Sequence, residues 1–256
     1  GAPLTVALTS TVTGDPSVTN IVWYGWDFGN GVTTNGTTLR AVTNVYGSAG
    51  MYDVTLTVSN DLGQTAAQTR SGYVTVYGAV VYVSKGATPA YPYPAWSQAA
   101  PDVQTVINAA QAAYDAGVTN VLVAVTNGVY SNASISIIRA ITVRSENGAS
   151  NTVLDAGYVP GRRVAELTAT ATHAVLDGFT LQRGGGNAEM MGGGILLLAG
   201  TVQNCVIQSN DVMREPKGAG ICTSGGTVSN CTIRANKHSG YYFGGGGIYR
   251  TGGLVT

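Results

Sequence analysis

Three copies of one short glycine pattern, close together near the C-terminal end, constrain the fold more than any other feature. They are Gly192-Gly193-Gly194-Ile195, Gly218-Ala219-Gly220-Ile221 and Gly245-Gly246-Gly247-Ile248, spaced by 26 and then 27 residues. Seven residues after each Ile stands a Val: Val202, Val228 and Val255. Two copies then continue alike, as Val202-Gln203-Asn204-Cys205-Val206-Ile207 and Val228-Ser229-Asn230-Cys231-Thr232-Ile233. A period of this size marks one supersecondary unit stacked on itself. The apolar runs are short, β-branched and cut by glycine, so they read as strands. Copies in register lie about 4.8 Å apart, and each buries its apolar face only against its neighbours. The expected structure is a parallel β-helix.

A length of 256 residues is enough for two domains. A formal net charge of zero with 10% charged residues gives no basic footprint for nucleic acid or an anionic membrane. No run is apolar and long enough to span a bilayer. The chain opens at Gly1 without Met, so a trimmed product is expected.

Residues 1 to 78 read as a separate small β-sandwich. Leu4-Thr5-Val6-Ala7-Leu8, the alternating run from Tyr52 to Val58, and Tyr73-Val74-Thr75-Val76-Tyr77 are strand-like. Turn signals fall between them at Gly14-Asp15-Pro16, Gly29-Asn30-Gly31 and Asn60-Asp61-Leu62-Gly63. No cysteine lies here, which excludes an immunoglobulin-type disulfide. The stretch Trp26-Asp27-Phe28-Gly29-Asn30-Gly31, followed by Tyr46, Gly50-Met51-Tyr52-Asp53-Val54 and Asn60 to Gly63, resembles the polycystic-kidney-disease (PKD) domain. Asn30 and Asn44 depart from that family's usual Asp and His. The resemblance implies an extracellular spacer or a glycan- or protein-contact module. Asp27 reads as a turn-capping carboxylate. No cofactor is expected, and Asp27 with Asn30 is a thin ligand set for calcium.

Residues 79 to 256 form the second expected domain. Val80 to Ser84 is a strand, whereas prolines alternating with aromatics from Ala90 to Trp96 prevent a regular element. That segment reads as a packed loop, with a sugar-stacking patch as the alternative. A helix follows: Val103, Val106, Ile107, Ala110 and Tyr114 share one face, Asp102 precedes it and Gly117 ends it. It is the expected cap on the open first coil. The order of Tyr82-Val83-Ser84, this helix, Gly128-Val129-Tyr130, Ala174 to Phe179 and the repeats resembles right-handed β-helix proteins of the pectate-lyase-like superfamily. Within it, the likeness is to large bacterial surface proteins. The fold class is thus all-β, an Ig-like sandwich followed by a right-handed parallel β-helix.

Alignment on the valines gives the column Asp177, Asn204, Asn230, read as a ladder that satisfies a buried turn. Cys205 and Cys231 are equivalent positions on neighbouring coils, expected as buried thiols, and a bridge between them falls at the short end of the allowed Cα range. Their redox state and that of Cys222 are left open. A zinc site is not expected, with only His173 and His238 available.

The segments Arg183 to Met191, Asn210 to Lys217 and Asn236 to Phe243 read as loops on one side of the stack. They carry Glu189, Asp211 and Lys237, and the candidate groove residues Arg214, Glu215, Lys217, His238, Tyr241 and Tyr242. Lyases of the resembled fold use clustered acids with calcium and an Arg or Lys base, and glycosidases use two carboxylates about 5–9.5 Å apart. Neither set repeats in register, so no catalytic residue is assigned. The expected function is an extracellular or cell-surface structural or adhesion protein contacting polysaccharide, as a monomer. The alternatives are a lyase or hydrolase acting on a uronate-containing glycan, and a non-catalytic glycan-binding module. The last coil breaks off at Leu254-Val255-Thr256, so a longer parent protein carrying further coils and an anchor is expected.

Overall fold

The computed structural model describes residues 1–11, 20–186, 191–213, 218–239 and 246–256. It divides into two compact units, Gly1–Gly78 and Ala79–Thr256.

In the first unit, β1 (Leu4–Thr9) pairs antiparallel with β4 (Ala41–Tyr46). β3 (Thr33–Gly36), β2 (Ile21–Asp27), β5 (Gly50–Asn60) and β6 (Thr65–Val76) form a second sheet in that order. Leu8, Tyr24, Trp26, Phe28, Tyr46, Val54, Val58, Val74 and Val76 are the buried core, as period-two alternation requires of strands with one wet face. Trp26 and Phe28 stack at 6.4 Å, and the Trp26 indole N–H donates to the Leu39 carbonyl at 2.9 Å. Asp27 and Asn30 close the intervening turn through Gly29 N–H at 2.9 Å and Val32 N–H at 3.2 Å. Gly29 is obligatory there: its φ is 72°, and a Cβ would strike the Asp53 backbone.

The second unit is a parallel β-solenoid. Among the described residues the first face stacks Val80–Val83, Leu122–Val125, Thr142–Ser145, Val175–Asp177, Thr201–Gln203, Thr227–Ser229 and Leu254–Val255. The second stacks Gly128–Ser131, Thr152–Asp155, Thr180–Gln182, Val206–Gln208 and Thr232–Arg234. The third stacks Ile135–Ile137, Ala165–Leu167, Ile195–Leu197, Ile221–Thr223 and Ile248–Arg250. Leu176, Val202 and Val228 make one buried row, Leu154, Leu181 and Ile207 another, and Leu167, Leu197 and Thr223 a third.

The glycine motif is explained position by position. The first glycine is left-handed, with φ 68° at Gly192 and 60° at Gly218. The third lies against the next coil: a Cβ on Gly220 would stand 2.6 Å from the Gly247 carbonyl oxygen. The middle position of the first copy is roomier, a Cβ on Gly193 standing 3.1 Å from its nearest neighbours, and in the second copy Ala219 fits there, fully buried.

Helix α1 (Val103–Asp115) covers the first coil. Asp102 caps it, accepting from the Thr105 N–H at 2.7 Å and hydroxyl at 2.8 Å. Two glutamines finish the job that a preceding strand would do. Gln104 Oε1 accepts from the Ser136 N–H and Gln111 Oε1 from the Ile138 N–H, both at 2.7 Å. The inward face is Val103, Val106, Ile107, Ala110 and Ala113. Tyr114 is a correction to the sequence reading: it lies one position off that stripe and is 38% exposed.

The column expected as Asp177, Asn204, Asn230 needs a one-residue correction. Asp177 pairs with Gln203, which leaves Gly178 beneath Asn204 and Phe179 beneath Cys205. Leu176, not Val175, sits under Val202 and fills the core. Backbone conformation fixes this register, since Gly178, Asn204 and Asn230 share left-handed φ values of 79°, 53° and 48°. The side-chain ladder nonetheless runs through these residues: Asn230 donates to Asn204 at 2.6 Å and Asn204 to Asp177 at 2.7 Å. Asn204 and Asn230 are exposed, so the ladder lines the surface of the turn rather than its interior.

Candidate functional site

The segments read as plain loops begin with short strands. Gly185–Gly186, Asp211–Val212 and Lys237–His238 form a fourth, three-stranded parallel sheet beside the second face. A buried amide ladder, not found from the sequence, sets it in place. Asn210 is fully buried; its Oδ1 accepts from the Gly184 N–H at 2.8 Å, and its Nδ2 donates to the Leu181 carbonyl at 3.2 Å. Asn236 Oδ1 accepts from both the backbone N–H of Asn210 (3.0 Å) and its Nδ2 (2.9 Å), while Asn236 Nδ2 donates to the Ile207 carbonyl at 2.8 Å. The repeated Ile207-Gln208-Ser209-Asn210 and Ile233-Arg234-Ala235-Asn236 was the available signal. The residue before each Asn is left-handed, φ 54° at Ser209 and 52° at Ala235, which makes the corner.

The ladder places the next residue of each coil, Gly185, Asp211 and Lys237, in one row. Asp211 Oδ2 accepts from the Ser239 hydroxyl at 2.6 Å and lies 3.4 Å from Lys237 Nζ. Asp211 Oδ1 is buried and has no partner among the described residues. A cavity of about 330 Å³ opens here, lined by Tyr158, Pro160, Gly185, Asp211, Met213 and Lys237. Tyr158 is 46% exposed. Gly185 forms the floor, where a Cβ would come within 2.8 Å of the Val159 carbonyl oxygen. The cleft thus offers an exposed ring, an ammonium donor and a carboxylate acceptor over a flat glycine floor.

Below it, Asp155 is buried and accepts from Arg183 Nε at 2.7 and 2.8 Å, Gln182 Nε2 at 2.8 Å and the Gly157 N–H at 2.9 Å. Burial pushes this carboxyl up, but the bonds from Arg183, Gln182 and Gly157 outweigh it, and its pKa lies below the ordinary value. The same surface column continues upward, Gln208 Nε2 donating to Gln182 at 3.1 Å and Arg234 Nε to Gln208 at 2.9 Å.

Of the candidate groove residues, His238 shares its row with the buried Val212, on the opposite side of its strand from the cleft-lining Lys237. Its Nε2 is buried without a partner among the described residues. Strand alternation, invisible when the segment is read as a loop, accounts for the difference. Arg214, Glu215, Lys217, Tyr241 and Tyr242, with Glu189, lie outside the described residues. Among the described residues no cluster of three or more His, Cys, Asp or Glu gathers to hold a metal ion, and no helix is long and apolar enough to cross a membrane. At the junction, Tyr82 and Trp96 pack at 4.4 Å and Tyr91 and Tyr93 edge-to-face at 5.7 Å, making the aromatic run a packed loop.

No curated protein and no solved structure matches the chain. Residues 1–71 match the family model of the PKD domain. With the two-sheet fold, the Trp26-Asp27-Phe28-Gly29 turn and the buried Tyr46 described above, the first unit of this chain is a PKD domain.

Proposed function

We propose that the chain is an extracellular structural or adhesion module whose solenoid, of the right-handed pectate-lyase-like kind, holds a polysaccharide at a cell surface. The PKD domain and the solenoid fit an extracellular structural or adhesion module. The observation that carries the glycan reading is the cleft of Tyr158, Gly185, Asp211 and Lys237. A sugar ring stacks its C–H face on an exposed aromatic, and its hydroxyls take the acceptor and donor of an adjacent carboxylate and ammonium. The row of Gly185, Asp211 and Lys237 runs across three successive coils, a direction that suits an extended polymer.

The test is retention of the full chain on immobilised acidic and neutral polysaccharides, with reducing-end release and unsaturated-product absorbance followed in parallel. Retention is expected without product, weakened about tenfold by Tyr158→Ala or Lys237→Ala, a loss of about 1.4 kcal/mol. Equal retention of the variants, or none of the parent, contradicts the cleft. Product formation replaces this reading with a lyase or hydrolase.

A further inference from the structure

Cys205 and Cys231 occupy one row on adjacent coils. The pairs on either side fix this: Gln203 lies against Ser229 and Val206 against Thr232, and the Thr232 N–H donates to the Cys205 carbonyl at 2.8 Å. Strands so paired run about 4.8 Å apart, inside the ~4.4–6.8 Å Cα window of a disulfide. Each thiol donates to a backbone carbonyl two residues back, Cys205 to Gln203 at 3.0 Å and Cys231 to Ser229 at 3.2 Å, and neither residue is in a disulfide. Their surroundings differ. Cys205 is 1% exposed, whereas Cys231 is only partly buried. Below Cys205 the row continues as Phe179. Cys222 sits on the third face, in a row with Leu196 and Tyr249.

We propose that Cys205 and Cys231 are an oxidation site at which a hydroperoxide creates a cross-coil disulfide. Cys231, the less buried of the two residues, attacks the peroxide. Its S–O bond forms as the O–O bond breaks, the sulfur is oxidised to a sulfenic acid, and the peroxide is reduced, releasing one water from hydrogen peroxide. The sulfur of Cys205 then displaces the hydroxyl. The S–S bond forms, the S–O bond breaks, and the Cys205 thiol proton leaves with the hydroxyl as a second water. The neighbouring Cys205 side chain brings the Cys231 thiol down to about 7 against the opposing effect of its burial, while burial holds Cys205 well above the ordinary thiol range. The division of labour therefore has Cys231 reacting first and Cys205 resolving.

Hydrogen peroxide added to the folded full chain tests this, with thiols counted by a chromogenic disulfide reagent in denaturant and linkages found by peptide mapping. Reactive thiols are expected to fall from three to one, with a Cys205–Cys231 cross-link inside a single chain. In Cys222→Ser both remaining thiols are lost. In Cys205→Ser the oxidation stops at a Cys231 sulfenic acid trapped by dimedone; should that variant not fold, Cys222→Ser carries the test alone. An unchanged thiol count, a cross-link through Cys222, or over-oxidised Cys231 beside a still-reactive Cys205 overturns the proposal.

Discussion

The side-chain amide nitrogen of Asn236 lies 2.8 Å from the point at which Gly220 would carry a Cβ, and Asn210 stands in the same relation to Gly194 at 2.7 Å. The glycine motif and the buried amide ladder are therefore one device. Gly194 and Gly220 clear the space in which the next asparagine of their coil bonds to the coil beneath.

Gly220→Ala is accordingly expected to destabilise the solenoid by about 1–3 kcal/mol through overpacking. Ala219→Gly, one residue away, costs about 1–2 kcal/mol through backbone entropy and the loss of one buried methyl group. Denaturant midpoints of the two variants check the order, and equal losses would show that the two positions are not distinguished.

The two asparagine ladders differ in the same way. Asn210→Leu leaves the Gly184 N–H and the Leu181 carbonyl unpaired in the interior, at about 1–3 kcal/mol each. Asn204→Gly is expected within about 0.5 kcal/mol of the parent, because Gly178 already serves in that column and glycine accepts the left-handed turn freely. Urea titration of both variants separates a buried ladder from a surface one.

Gln111→Leu keeps the volume on the buried face of α1 but leaves the Ile138 N–H without its acceptor. A loss of about 1–3 kcal/mol is expected, together with faster amide exchange at Ile138, read by NMR.

Asp155 supplies a pH dependence. Its folded pKa is depressed, so its contribution is fully present above the unfolded value, about 3.9, and is lost as pH falls through the folded pKa. Stability of the parent should drop on acidification below about pH 4, and Asp155→Asn should flatten that drop while lowering stability at neutral pH. Thermal melts across the acid range read both effects.

The period of the glycine motif was enough to read the solenoid, because stacking forces every coil to reuse the same turn geometry. The PKD domain was legible from Trp26 to Gly31, where packing and turn chemistry admit few residues. The register of Asp177 was not, since a valine can occupy an outward row as readily as an inward one, and the left-handed position beneath Asn204 had been filled by glycine. The cleft was half legible. Asp211 and Lys237 were on the expected side, but Tyr158 enters from a coil without the repeat, and Asn210 and Asn236 lie inside segments that resemble polar loops.

The stacking itself is read most directly from scalar couplings across hydrogen bonds in the isotope-labelled chain. The Ile195 N–H donates to the Gly220 carbonyl and the Ile221 N–H to the Gly247 carbonyl, each at 2.9 Å. Couplings from Ile195 nitrogen to Gly220 carbonyl carbon and from Ile221 nitrogen to Gly247 carbonyl carbon are the expected result. Couplings of either isoleucine to a carbonyl in its own coil, or an antiparallel pattern between them, would contradict the coil-on-coil register on which the glycine device, the cleft and the thiol pair all stand.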